Sequence, residues 1–214
     1  MNKREKAERI GRVLDRLYPD PAVPLVHKDP FTLCIAVLLS AQATDKSVNR
    51  VTPELFRRAP TPEAMVKLKP EQILSIIKTV GLAPTKSRNV WNLSRILLER
   101  HGGRVPDTYE ELEALPGVGH KTASVVMSQA FGRPAFAVDT HIHRLAQRWG
   151  LSNGSNVERT EKDLKAVFPP GEWGRRHLQF IHYGREYCQA RGHDPDVCVV
   201  CREFGTRKSG SKSK

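Results

Sequence analysis

The segment Leu115-Pro116-Gly117-Val118-Gly119-His120-Lys121-Thr122-Ala123 carries the densest chemical signal in the chain. Two glycines flanking an apolar residue permit a tight turn between two helices. Their amides, with the free N–H groups that open the following helix, form a concave donor site for phosphate oxygens. Pro-Gly-x-Gly also serves as a plain helix–helix turn, so these four residues alone do not decide between grip and geometry. Lys121 adds a second signal. It falls in the first turn of its helix, where the positive end of the macrodipole disfavours another cation. A partly desolvated amine there would supply a Schiff-base nucleophile, whereas a solvated one would simply contact phosphate. Asp139 follows in Ala137-Val138-Asp139-Thr140-His141-Ile142-His143-Arg144, at the mouth of another helix. An Asp at that place is the usual N-cap, and also a carboxylate able to take a proton. His141 and His143 are two apart, point to different faces, and suit packing or phosphate contact better than chelation.

The elements that must position these residues are helical. Ile10, Val13, Leu14 and Leu17 form one core-facing stripe; Val90, Leu93, Ile96 and Leu97 form another. Further helices are predicted at about 31–42, 45–58, 71–78, 121–131, 140–149, 157–167 and 173–189. Thr108 followed by Glu111 is a capping pattern for a short helix that must stop before Pro116-Gly117. Sustained alternation between hairpin turns is missing from the sequence, so the class is all-α.

Composition narrows the partner. Over 214 residues, 35 Lys+Arg against 23 Asp+Glu give a net charge of +12, which favours a polyanion. The last eight residues carry four of those positive charges and no negative ones, and read as a basic disordered tail (207–214), but the remaining body is still basic. The longest apolar run, Leu33–Leu39, is far too short for the ~18 residues of a membrane span. The basic start Met1–Lys6 has no apolar stretch behind it, so the sequence is read as cytosolic or nucleoid-associated.

From about Ala22 to Arg202 the chain resembles the endonuclease III family, bifunctional DNA glycosylases of the helix–hairpin–helix superfamily. The resemblance rests on Leu38-Leu39-Ser40-Ala41-Gln42-Ala43-Thr44-Asp45, Leu115–Ala123, Val138-Asp139-Thr140-His141 and His182-Tyr183-Gly184-Arg185. It implies a six-helix barrel with the hairpin at 23–134, and a second helical domain of 1–22 plus 135–206 bearing a C-terminal cysteine cluster, with DNA lying across the cleft between them. It further implies Lys121 as nucleophile and Asp139 as the assisting carboxylate. Gln42 and Leu82 would be the residues that fill and wedge the gap left by a flipped base, and Gly117, Val118 and Gly119 the hairpin contacts to DNA. For Leu82, core packing is an equal alternative, and Val80-Gly81-Leu82-Ala83-Pro84 departs from relatives that carry an aromatic or polar residue after Gly-Leu. Glu113 sits where the family has an acidic residue near the lysine; a solvated helix carboxylate is the other reading. The implied activity is removal of oxidised or damaged pyrimidines from duplex DNA, with strand cleavage at the abasic site, by a monomer. A monofunctional glycosylase of the same superfamily and a non-catalytic DNA-binding repair protein are the alternatives.

The cysteines depart from the family. Cys34 reads as a buried small hydrophobe. The resemblance implies a [4Fe–4S] cluster held in a Cys-x6-Cys-x2-Cys-x5-Cys pattern, whereas Cys188, Cys198 and Cys201 read Cys-x9-Cys-x2-Cys and Arg207 stands in the fourth place. The cluster is expected with a non-cysteine fourth ligand, for which Asp194, Asp196, His193 and Glu203 are candidates. An empty site, or zinc held by three cysteines and His193, remains open.

Overall fold

A computed structural model describes residues 1–206; the basic tail at 207–214 lies outside the described residues. The chain divides into two compact units, Val23–Arg133, and Met1–Ala22 together with the chain from Pro134 onward. Among the described residues there is no strand, and no helix is long and apolar enough to cross a membrane.

The unit of residues 23–133 is built around α2 (Pro30–Ser40), whose residues Phe31 to Leu39 are all buried. An all-apolar helix of this kind can only be a central one. Asp29 starts it, accepting from the Thr32 N–H while Thr32 reaches back, with Pro30 in the first turn. Around it run α3 (Asp45–Arg58), α4 (Pro62–Lys67), α5 (Pro70–Ile77), α6 (Ala83–His101), α7 (Tyr109–Glu113) and α8 (His120–Phe131), of which α3, α6 and α8 pack on α2. The short α4 has no predicted counterpart; its signal was Thr61-Pro62, a capping side chain followed by a first-turn proline.

The other unit comprises α1 (Lys3–Leu17), α9 (Thr140–Arg148), α10 (Val157–Val167), a 3₁₀ turn (Pro170–Glu172), α11 (Trp173–Glu186) and α12 (Val199–Phe204). Its core holds Ile10, Leu14, Phe136, Trp149, Phe168, Phe180 and Tyr183. Trp149, Phe180 and Tyr183 meet edge-on or tilted at centroid distances of 4.9 and 5.5 Å. Arg176, 4% exposed, ties α11 to α1 through both oxygens of Asp15 (2.7 and 3.0 Å) and the Gly11 carbonyl (3.0 Å). Burial would raise the Asp15 carboxyl, but Arg176 holds it below its ordinary range.

Candidate active site and metal centre

The hairpin forms as its residue types dictate. Thr108 caps α7 by accepting from the Glu111 N–H. The chain then turns through Leu115–Gly119 into α8, whose N-cap is Gly119 with no side-chain cap bond. Gly117 has φ +81°, a conformation that favours glycine, and an added Cβ would stand 2.7 Å from Asn89 Nδ2 and 3.1 Å from Leu38 Cδ1. Gly119 differs: its φ is −98° and a Cβ there meets nothing within 4 Å. The fold needs the first glycine and leaves room for a side chain at the second.

Val118, the apolar residue between the two glycines, lies on the inner side of the turn. Its side chain is 5% exposed and its N–H is spent on the Leu115 carbonyl at 3.1 Å, so it anchors the turn from inside. Lys121 is the second residue of α8 and is exposed. Glu113 is no solitary solvated carboxylate: His120 Nδ1 lies 2.8 Å from its Oε1, and the His120 ring stacks on Tyr109 at 5.2 Å, closing α7 against the start of α8.

Gln42 and Leu82 come together. They are the only non-glycine residues with positive φ among the described residues, at 53° and 61°. Both are exposed, Leu82 by 56%, which rules out core packing for it. A Cβ on Gly81 would sit 3.2 Å from the Gln42 carbonyl oxygen, so the two left-handed loops pass in near contact. Lys86, unnoticed in the sequence, holds them there. It is 4% exposed, and Nζ donates to the carbonyls of Leu39 (2.9 Å) and Ala41 (2.6 Å) at the end of α2. Its place could have been read from Lys86, Val90, Leu93 and Leu97, one charge on an otherwise inward-facing stripe.

Asp139 is the N-cap of α9, its Oδ1 accepting from the Ile142 N–H at 2.8 Å. Lys121 and Asp139 belong to different units, each at the opening of a helix. Of the two histidines after Asp139, His143 lies 2.8 Å from Thr160 Oγ1, and His141 Nδ1 lies 3.2 Å from Arg144.

The remaining cysteines gather in the other unit. Cys188, Cys198 and Cys201, all buried and none in a disulfide, bring their sulfurs within 4.8 Å of one another and of a His193 ring nitrogen. This set can hold a metal. Of the proposed non-cysteine ligands only His193 joins it: Asp194 Oδ1 accepts from the Asp196 N–H at 2.9 Å, and Glu203 pairs with Arg9. The surroundings are built as well. Arg148 donates to Cys188 Sγ (3.2 Å) and to the Gln189 carbonyl (2.7 Å), and Arg144 to the Cys188 carbonyl (3.0 Å). These arginines come from α9, a helix that sequence distance gave no reason to connect with the cysteines.

With this geometry established, comparison with known proteins identifies the lineage. Residues 35–170 match the HhH-GPD superfamily base excision DNA repair protein. Endonuclease III of Escherichia coli strain K12 is 46% identical over 200 residues, covering 94% of both chains. The chain belongs to the endonuclease III family. Endonuclease III of Treponema pallidum is 49% identical over 185 residues, covering 85% of this chain and 88% of that one. A non-covalent endonuclease III–DNA complex superposes with a TM-score of 0.90 at 38% identity, covering 96% of each chain. A trapped endonuclease III–DNA covalent intermediate gives a TM-score of 0.88 at 39% identity, covering 94% of each. The endonuclease III fold is thus present throughout, and the hairpin, Lys121 and Asp139 all fall inside the superfamily match.

Proposed function

We propose that this chain is a bifunctional DNA glycosylase of base-excision repair, removing oxidised or otherwise damaged pyrimidines from duplex DNA and nicking the strand at the resulting abasic site. The observation that carries it is an exposed lysine at the opening of α8, directly after the hairpin, in a chain similar to an endonuclease III whose covalent DNA intermediate has been trapped. A base inside the stack is out of reach, so the target nucleotide must rotate out. Gln42 and Leu82, presented side by side, fit the vacated space, one amide toward the orphaned base and one apolar wedge between steps. The amides of Gly119 and the first turn of α8 grip one backbone phosphate without reading sequence.

The chemistry then needs an amine and a carboxylate. Neutral Nζ of Lys121 forms a bond to C1′ as the C1′–N glycosidic bond breaks and its electron pair leaves with the base. Asp139 stabilises the positive charge developing on the sugar and takes the proton from the attacking nitrogen. Opening of the ring gives a Schiff base between Lys121 and C1′, which acidifies the C2′ hydrogen. Loss of that proton expels the 3′ phosphate by β-elimination, and water hydrolyses the imine to regenerate Lys121. The metal group that Cys188, His193, Cys198 and Cys201 can hold takes no part in these steps. The enzyme is proposed to act as a monomer on nucleoid DNA in the cytoplasm.

The test is a duplex with one oxidised pyrimidine, analysed by gel with and without alkali. Strand scission with a β-elimination end before alkali supports the reading. Excision that yields breaks only after alkali would make the enzyme monofunctional.

A further inference from the structure

Distances at the cysteine site separate two kinds of metal group. One tetrahedral ion with metal–sulfur bonds of about 2.3 Å sets its ligand sulfurs about 3.8 Å apart. A four-iron cube carries each ligand outward from a different corner, so its ligand sulfurs stand roughly 6 Å apart. Here Cys188 Sγ and Cys201 Sγ are 3.7 Å apart, and no pair among the four ligand atoms exceeds 4.8 Å. The spread is that of one coordination shell and is too small for a cube.

We propose that Cys188, His193, Cys198 and Cys201 bind a single zinc ion where relatives of four-cysteine pattern hold an iron–sulfur cluster. Three thiolates and one imidazole are a structural zinc set. The spacing Cys-x4-His-x4-Cys-x2-Cys brings them together through two local devices. Gly192, at φ +68°, turns the chain just before His193. The Cys198 carbonyl accepts from the Arg202 N–H at 2.8 Å, so Cys198 and Cys201 open one short helix.

His193 gives independent support. Its Nε2 is buried and has no hydrogen-bond partner, a costly arrangement for a ring nitrogen unless something else binds it. The outer shell is also that of a metal site. Tyr183, fully buried, accepts from the Val200 N–H at 3.1 Å, which leaves its own proton to point at Cys198 Sγ, 3.2 Å away. Arg148 on Cys188 Sγ offsets the charge left when three thiolates meet one divalent ion. With four protein ligands the shell is closed, so the ion is structural: it ties the end of α11 to α12 across a stretch, 187–198, that has no helix of its own.

The test uses the full chain purified anaerobically from cells supplied with both iron and zinc. Elemental analysis is expected to find about one zinc per chain and neither iron nor acid-labile sulfide, in a colourless protein. Replacing the zinc with cobalt should give the visible ligand-field bands of a tetrahedral sulfur-rich site. His193→Ala should change those bands and weaken zinc binding by more than the roughly 10–100-fold that outer-shell changes cost. Cys198→Ser should do the same and lower the melting temperature. A brown protein carrying iron and sulfide would overturn the proposal. So would zinc affinity and cobalt bands unchanged in His193→Ala, or a metal-free protein whose melting ignores added zinc.

Discussion

Replacing Lys86 with Met keeps the length and bulk of the side chain and removes only the amine. Two carbonyls at the end of α2, those of Leu39 and Ala41, then lose their donor. A buried acceptor left unsatisfied costs about 1–3 kcal/mol, so the pair costs about 2–6 kcal/mol. Relief from burying an ammonium offsets part of this, leaving a net loss of about 2–4 kcal/mol. In a protein of this size each kcal/mol is worth about 2–4 °C, which gives a fall in melting temperature of about 5–15 °C. The sign of the pH dependence is fixed too. Burial holds the Lys86 amine below its ordinary 10.5, so between the folded value and 10.5 the unfolded chain binds more protons. Wild type therefore gains stability over Lys86→Met as pH rises through that window, and this increment, not the hydrogen bonds themselves, is lost as pH falls through the folded value. The gap between wild type and Lys86→Met should widen toward alkaline pH. Calorimetry reads both effects. A functional assay reads the consequence for the loops: excision from a paired duplex should fall, while cleavage of a single-stranded abasic oligonucleotide, which needs no wedge, should be spared below the melting point. Melting within a degree or two of wild type, or equal losses on both substrates, would refute the idea that Lys86 clamps Gln42 and Leu82 into place.

The two hairpin glycines should part company. Gly117→Ala should destabilise the fold by about 1–3 kcal/mol through its left-handed backbone and the crowding against Asn89, whereas Gly119→Ala should cost under about 1 kcal/mol yet weaken binding to damaged and undamaged duplex alike. Binding isotherms with paired melting curves check this; unchanged affinity in Gly119→Ala makes the hairpin only a turn. Asp139→Asn keeps a capping oxygen but no charge, so melting should hold while single-turnover excision falls about 10²–10⁴-fold. A near-normal rate would leave Asp139 as a cap alone. Thiol titration at pH 8 should leave Cys34 silent in the native chain, because burial pushes its thiol up to about 12, while Cys188, Cys198 and Cys201 become reactive only after a strong chelator strips the metal. Fast labelling of Cys34 would contradict its burial.

Much of the fold was legible because its signals are local. The stripe from Ile10 to Leu17, the apolar run from Leu33 to Leu39, and the capping residues Thr108 and Asp139 each state a helix or its start within a few residues. Lys121 stands out in the sequence for another reason: it opposes its own helix dipole, and a residue that works against stability is conspicuous. What stayed hidden depends on contacts far apart in the chain. Lys86 binds carbonyls more than forty residues away, and Arg148 reaches Cys188 over a similar span. The inward side chain of Val118 was not legible, because its spacing between glycines says nothing about which way it faces. That His193 joins the three cysteines, and Asp194, Asp196 and Glu203 do not, depends on the path of the chain through 189–197, which composition and spacing left open.

Borohydride reduction during incubation with an abasic-site duplex tests the central claim most directly. A Schiff base at Lys121 would be reduced to a stable amine, and proteolysis with mass mapping should place the adduct on Lys121. Lys121→Gln should yield no adduct while keeping most of its duplex affinity, since the hairpin amides remain. An adduct on another residue, or full trapping by the Gln variant, would contradict the assignment.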